Sequence, residues 1–200
     1  MTTKTVAILL FPDVLMLDVA GPIEVFSVAN RYLPESDHYR IVTLGAESLS
    51  VRASNGIVMQ ADQLAVDAPV AYDTLLVPGG PGAYNERHPH LYGWLREAAQ
   101  ASRRHGAVCT GAFILGEAGL LDGHRVTTHW HYLDRLAKRF PKAQLETDLL
   151  FTKDGKLLSS GGVTAGIDLA LSILADDHDK KLALDVAKVL LVAVSYTHLT

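Results

Sequence analysis

The stretch "GAVCTGAFILGEAGLL", residues 106–121, passes from an apolar strand pattern through a run of small residues into a helical pattern. Its cysteine, Cys109, is the only one in the 200-residue chain. Small residues let backbone pass closely, so the pattern predicts a strand, a sharp turn and a helix with Cys109 on the turn. Two interpretations of Cys109 remain open here, a nucleophile exposed on the turn or a buried packing residue. The first amides of the following helix favour a thiolate.

Outward from this stretch, apolar strands alternate with helical patterns, which predicts a mostly parallel sheet with helices on both faces. Strands are predicted at residues 6–11, 39–44, 74–77, 106–108 and 125–128. Helices are predicted to open at Gly21-Pro22 and to cover residues 91–104, 112–118, 131–140, 165–175 and 180–193. Hairpins are predicted around Ser54-Asn55-Gly56 and Lys153-Asp154-Gly155, the second between strands at residues 147–151 and 156–159. No repeat or linker divides the chain, so a single domain is expected.

Composition excludes several classes of protein. The chain is 48% hydrophobic and 20% charged, which suits a packed core and argues against disorder. Its net charge of -4 gives no attraction to a phosphate backbone, so this chain alone is not expected to bind DNA. The apolar run near the N-terminus is too short to span a membrane. A lone cysteine forms no internal disulfide, which favours a cytoplasmic location.

Three predicted turns meet at one edge of the sheet, because the carboxyl ends of parallel strands lie together. They are the turn after Phe11, the loop "PGGPG" at residues 78–82, and the turn at Cys109. Glycine amides in such a loop can face a ligand or a developing negative charge, and Gly79 and Gly80 are the candidates. The sequence therefore predicts a cleft for a small molecule at this edge.

Asp18, in "MLDVAGP", stands in apolar sequence close to a predicted helix start. It is either an N-cap or a carboxyl directed into the cleft. If ionised it opposes a nearby thiolate, and if protonated it donates a hydrogen bond to one. A buried pair of Asp18 and Cys109 is expected to share a proton and titrate as a unit.

Other constellations are weaker. His124, His129 and His131 lie close together, but no second cysteine or carboxylate stands at zinc-ligand spacing, so no metal is predicted. No cofactor is predicted either. A glutaminase-type triad needs a late histidine–acid pair, and His178 lies in a polar run that indicates a solvated helix junction.

Four stretches together resemble the PfpI-type branch of the class I glutamine amidotransferase-like superfamily. They are "LLFPDVLMLDVAGPIEVF", "LLVPGGPGA", "VCTGAFILGEAGLLDGHRVTTHW" and "SSGGVTAGIDLAL". The resemblance implies a flavodoxin-like α/β fold, Cys109 on a nucleophile elbow, Asp18 against the sulfur, and an oxyanion site from the Gly80 and Thr110 amides. His129, in the "TTHW" run, is a further candidate ligand-binding residue. Thr110 stands where hydrolytic members often carry histidine, which argues against protease activity.

Two relatives within this superfamily share the Cys-Thr-Gly turn and the Thr-Thr-His-Trp run. One is the N-terminal sensor domain of AraC-type transcriptional regulators, which the last third of the chain resembles more closely. The other is isonitrile hydratase, for which the resemblance implies Cys109 as nucleophile, Asp18 as proton donor and acceptor, and Thr110 in support. Sensing of a small-molecule effector is the leading hypothesis, and the hydratase is the alternative.

The resemblance also implies a homodimer and a helix-turn-helix DNA-binding domain beyond residue 193. Residues 1–193 are therefore expected to form the PfpI-type domain. The last seven residues, 194–200, match one reading frame of a common sequencing-library transposon adapter, so this tail is expected to be non-native. DNA binding is expected only through the domain that this chain lacks.

Overall fold

A central sheet of seven strands organises the chain in a computed structural model that describes residues 3–193. The predicted adapter-derived tail lies outside the described residues. The strands are β1 (Lys4–Leu10), β2 (Tyr39–Gly45), β3 (Ser50–Arg52), β4 (Val58–Gln60), β5 (Gln63–Leu64), β6 (Thr74–Val77), β7 (Arg104–Val108), β8 (Arg125–Val126), β9 (Gln144–Leu145), β10 (Phe151–Asp154) and β11 (Leu157–Ser160). The helices are α1 (Met16–Ala29), α2 (Pro81–Asn85), α3 (Pro89–Ala101), α4 (Ala112–Glu117), α5 (Leu133–Arg139), α6 (Ala165–Asp177) and α7 (Lys180–Val189).

The sheet has the order β10-β11-β7-β6-β1-β2-β5, and only β10 runs antiparallel to its neighbour. Strand β1 is central and its residues 6–10 are at most 1% exposed, as the continuous apolar run predicts for a strand covered on both faces. The fold is therefore the flavodoxin-like α/β arrangement expected from the sequence. Both predicted hairpins are present, as β3–β4 and β10–β11.

Helices cover both faces of the sheet. On one face α1, α6 and α7 pack on one another, and on the other α4 contacts α2 and α3. The approach of α1 to α6 is close because Gly21 faces Ile167: a Cβ at Gly21 would stand 2.9 Å from Ile167 Cγ1. Within residues 3–193 no helix is both long enough and apolar enough to cross a bilayer.

Several predicted boundaries are wrong. Helix α1 starts at Met16 rather than at Gly21-Pro22, so Pro22 lies inside it and the helix lacks that amide donor. Residue 104 belongs to β7 and not to the preceding helix, because its backbone pairs with Thr74 of β6. The first arm of the second hairpin begins at Phe151 instead of residue 147. The last helix ends at Val189. Short-range patterns locate elements better than they locate their ends, which long-range pairing decides.

The order of the strands places the three predicted turns together. Strands β7, β6 and β1 are neighbours, so the turns at their carboxyl ends share one edge. Chain order reverses between β1 and β6, and such a reversal opens a crevice in which α/β proteins bind ligands. The Gly80 backbone lies tightly against the turn after β1, since a Cβ there would come within 2.4 Å of Asp13 O.

Candidate functional site

Cys109 occupies the turn between β7 and α4 in a strained conformation. Its φ is +56°, a left-handed value that residues other than glycine adopt rarely. Its side chain is 5% exposed, and its carbonyl accepts a hydrogen bond from Thr128 Oγ1 at 2.8 Å. Gly79 and Gly162 make room for it, because a Cβ at either position would lie 2.7 Å or 2.5 Å from Cys109 Cβ. The turn therefore depends on backbone that passes on two sides of the sulfur.

Asp18 lies in the first turn of α1 with its carboxyl directed toward Cys109 rather than capping the helix. The carboxyl is buried, and its two oxygens each accept a backbone amide: Gly79 N–H donates to Oδ2 and Val163 N–H to Oδ1, both at 3.0 Å. The Cys109 side chain lies beside this carboxyl, whose charge raises the pKa of the thiol. Three segments that are distant in sequence thus converge on one carboxyl group.

The thiol and the carboxyl differ in proton affinity. Burial raises the pKa of Asp18 to about 6, although the hydrogen bonds from Gly79 and Val163 each lower it. Burial, and then the charge of Asp18, raises the pKa of Cys109 to about 12. Near neutral pH the pair therefore rests as a protonated thiol beside a carboxylate.

The resting protein does not hold the thiolate that the amides of the following helix favour. The amide of Thr110 does lower the pKa of the thiol, in the direction that the sequence suggested. Helix α4, however, is only six residues long. Burial and the neighbouring carboxylate destabilise an ionised sulfur by more than the nearby backbone amides stabilise it.

Thr110 and Gly80 are hydrogen-bonded to each other. Gly80 N–H donates to Thr110 Oγ1 at 2.9 Å, and that hydroxyl donates to Gly80 O at 3.3 Å. The Gly79 amide donates to Asp18. Of the two amides that the resemblance assigns to an oxyanion site, that of Gly80 therefore already has a protein partner, as does the amide of Gly79.

A cavity of about 380 Å³ opens above Cys109. Its lining includes Gly80, Thr110 and His129 from the sequence-predicted set. Further lining residues are Leu15, Pro81, Tyr84, Trp130, Tyr132 and Val163. Burial lowers the pKa of His129, so this imidazole is neutral. Rings thus form much of the wall, and the sulfur lies at the floor.

Sequence reasoning missed several residues of this site. Val163 supplies an amide to Asp18 from a strained turn, with φ of +47°, and Gly162 beside it has φ of +99°. Both lie in the stretch "SSGGVTAG", whose paired glycines were the available signal. Tyr84 and Tyr132 carried no such signal, because isolated tyrosines are ordinary in helical patterns.

The alternative constellations are not assembled. His178 packs edge-on against Tyr39, with ring centroids 5.7 Å apart, at the start of β2 and thus at the opposite edge of the sheet from Cys109. His124 is bonded to Asp154 instead of joining His129 and His131. Across residues 3–193, no three histidine, cysteine or acidic side chains are grouped so that they could hold a metal ion.

Comparison with known proteins defines the class to which this fold and site correspond. The model of the DJ-1/PfpI family matches residues 4–176. The chain therefore belongs to the DJ-1/PfpI family.

Three individual proteins of similar sequence show which members of the family this chain resembles. An uncharacterized protein in the cpoL 5' region of Streptomyces lividans is 44% identical, over 68% of this chain and 94% of its own length. The HTH-type transcriptional regulator CdhR of Pseudomonas aeruginosa is 36% identical, over 90% of this chain and 52% of its own. The chain thus spans about half the length of that regulator. Isonitrile hydratase of Pseudomonas putida is 34% identical, over 84% of this chain and 69% of the enzyme.

A solved structure shares the fold at close to full coverage. The crystal structure of an AraC family transcriptional regulator from Pseudomonas putida superposes with a TM-score of 0.82 at 25% identity. The match covers 94% of this chain and 99% of that one.

Proposed function

We propose that this chain is the effector-sensing domain of an AraC-type transcriptional regulator whose DNA-binding domain is absent from the sequence. The observation that carries the proposal is the state of the cleft. Its buried thiol is protonated, and the amides of Gly79 and Gly80 already donate to Asp18 and Thr110. A cavity of about 380 Å³ above a protonated thiol can hold a small molecule, and with these two amides engaged the resting cleft is not arranged to stabilise a developing oxyanion.

The relatives support this proposal. Regulators match over about half of their own length, as a sensor module within a longer chain would. We propose that the chain works in the cytoplasm as a homodimer and responds to a small-molecule effector, while DNA is contacted only by the absent domain. A net charge of -4 on this chain agrees with that division.

The deciding experiment reads the source gene beyond the codon for Ala193. We expect the reading frame to continue into a basic helix-turn-helix segment, with genomic codons that differ from those for residues 194–200. We expect the extended protein to retard DNA from its own promoter region in a gel, and the 200-residue chain not to do so. A stop codon close to residue 200 in the genome, or DNA binding by the chain alone, would overturn the proposal.

The second candidate function is isonitrile hydration, and the position of the Asp18 carboxyl beside the Cys109 thiol favours it. In this mechanism Asp18 accepts the thiol proton as the sulfur bonds to the terminal carbon of the isocyanide, and that carbon is protonated to give a thioimidate. Water then adds to the same carbon, and cleavage of the carbon–sulfur bond releases the N-substituted formamide and restores the thiol.

Its test follows formamide release from an alkyl isocyanide by mass spectrometry. Cys109→Ala should abolish turnover and Asp18→Asn should strongly lower it, whereas Asp67→Asn, a matched change at an exposed aspartate, should have no effect. Failure of the folded wild-type protein to release formamide would eliminate the hydratase. Turnover by Cys109→Ala would eliminate the roles given to these residues.

A further inference from the structure

Two tyrosine hydroxyls form a pair in the wall of the cavity. Tyr132 Oη lies 2.7 Å from Tyr84 Oη, and the two rings pack at 4.6 Å between centroids. Each hydroxyl carries one proton, and one hydrogen bond between them uses only one of the two. Among residues 3–193 no acceptor takes the other proton. Whichever oxygen is the donor within the pair, one O–H is therefore left for a molecule in the cavity.

A second donor faces the same cavity. His129 is neutral, and its Nδ1 accepts the His131 amide at 3.3 Å. A neutral imidazole whose Nδ1 accepts a hydrogen bond carries its proton on Nε2, so Nε2 of His129 is a donor. The hydroxyl pair and the His129 ring thus each offer a donor without an acceptor among the described residues, and Ser54, Thr110 and His131 also line the cavity.

Two arginine side chains lie behind Tyr84, on the side of this residue that faces away from the cavity. The Arg135 guanidinium lies 4.8 Å from the centroid of the Tyr84 ring and donates to Tyr84 O at 2.9 Å. Arg139 donates to the same carbonyl, but Glu117 pairs with Arg139 at 2.6 Å. Arg135 forms no ion pair with any residue that the structure describes. The charge of Arg135, which no carboxylate of the described residues neutralises, therefore lies behind the Tyr84 ring, on the side of the cavity that carries the hydroxyl pair.

We propose that the effector of this pocket is a small molecule with an apolar body and one hydrogen-bond-accepting oxygen group, a carboxylate or an amide carbonyl. Its oxygen takes the spare proton of the Tyr84–Tyr132 pair and the Nε2 proton of His129. Its apolar body lies against Trp130 and Pro81. This inference rests on the proposed sensing function and names the chemistry that the sensor recognises.

The test uses three ligands that share a phenyl ring, namely phenylacetate, phenylacetamide and phenethylamine. Binding is followed by the fluorescence of Trp130, which lines the cavity and is 74% exposed, in a Trp94→Phe background, because the chain has two tryptophans. We expect phenylacetate to bind most tightly and phenylacetamide next. Phenethylamine should bind weakly, because its ammonium carries only donors and meets the charge of Arg135.

Tyrosine-to-phenylalanine variants measure the contribution of the two hydroxyls to binding while the rings remain in place. Tyr84→Phe and Tyr132→Phe each leave one hydroxyl with a free proton, so each alone should change affinity little. The double variant should weaken phenylacetate about tenfold, the scale of one lost hydrogen bond to an ionised acceptor, and leave phenethylamine unchanged. Tyr32→Phe, at a half-exposed tyrosine away from the cavity, is the matched control.

The outcomes distinguish the two proposals. Equal affinity for all three ligands, tighter binding of the amine, or no loss in the double variant would overturn the inference while small-molecule binding stands. Absence of any fluorescence response at millimolar ligand would also overturn it. The sensing function would still be decided separately by the gene beyond residue 193.

Discussion

Gly162→Ala should destabilise the protein by more than its backbone conformation alone explains. Gly162 has φ of +99°, so any side chain there costs about 1 kcal/mol of backbone strain. A Cβ at this position would also stand 2.5 Å from both Cβ and Sγ of Cys109 and 3.0 Å from its Cα. Overpacking of a buried site adds about 1–3 kcal/mol, so we expect a total loss of about 3 kcal/mol.

A matched variant isolates the contact with Cys109. Gly56 has φ of +88°, and a Cβ there would meet nothing within 4 Å. Gly56→Ala should therefore show only the backbone cost, about 1 kcal/mol. The measurement is the free energy of unfolding in urea for wild type and both variants, with the slope m compared to confirm that the unfolded ensemble is unchanged. If the two alanine variants lose the same stability, the close packing of backbone around the sulfur is refuted.

Three more predictions concern the same site. The pKa of Asp18 is raised to about 6 in the folded state, so the folded protein binds this proton more tightly than the unfolded chain does. The free energy of unfolding should therefore fall as pH rises from about 4 to 6. Relative to Asp18→Asn, the fall should reach up to about 3 kcal/mol. Urea titrations across this range check the sign, and parallel curves for the two proteins would contradict it. Thr110→Val should cost about 2 kcal/mol in the same assay, since it strands the buried amide of Gly80, while Thr110→Ser keeps the acceptor and should cost less than about 1 kcal/mol. Iodoacetamide should alkylate Cys109 more slowly than free cysteine, because the pKa of the thiol is raised to about 12. The alkylation rate should still increase with pH above about pH 9. A rate that levels off near about pH 8 would be inconsistent with a protonated resting thiol.

The stretch around Cys109 was predictable because its information is local. A strand, a run of small residues and a helical pattern follow one another within residues 106–121, and the structure contains β7, the turn and α4 in that order. The convergence of this turn with the loop at residues 78–82 followed from parallel topology alone. Helix boundaries were less predictable, as the start of α1 at Met16 illustrates, because pairing and packing with distant segments decide where an element ends.

The proton state of the site could not be derived from the sequence. Local spacing placed helical amides near the sulfur, which favours a thiolate. Burial and the nearby carboxylate reverse that preference, and both arise only when distant parts of the chain pack together. The same holds for the hydroxyl pair, since Tyr84 and Tyr132 are 48 positions apart and nothing in either neighbourhood indicates the contact.

By itself the sequence determined the α/β fold, the family, and a turn that places one cysteine beside a glycine loop. Each of these depends on the order and spacing of residues that are close together in the chain. Only the tertiary structure decided that the Val163 amide reaches Asp18 across 145 positions, that the glycine amides are already bonded, and that one tyrosine proton remains free. Hydrogen-bond partners and desolvation depend on which segments become neighbours in space, and one-dimensional spacing does not specify them.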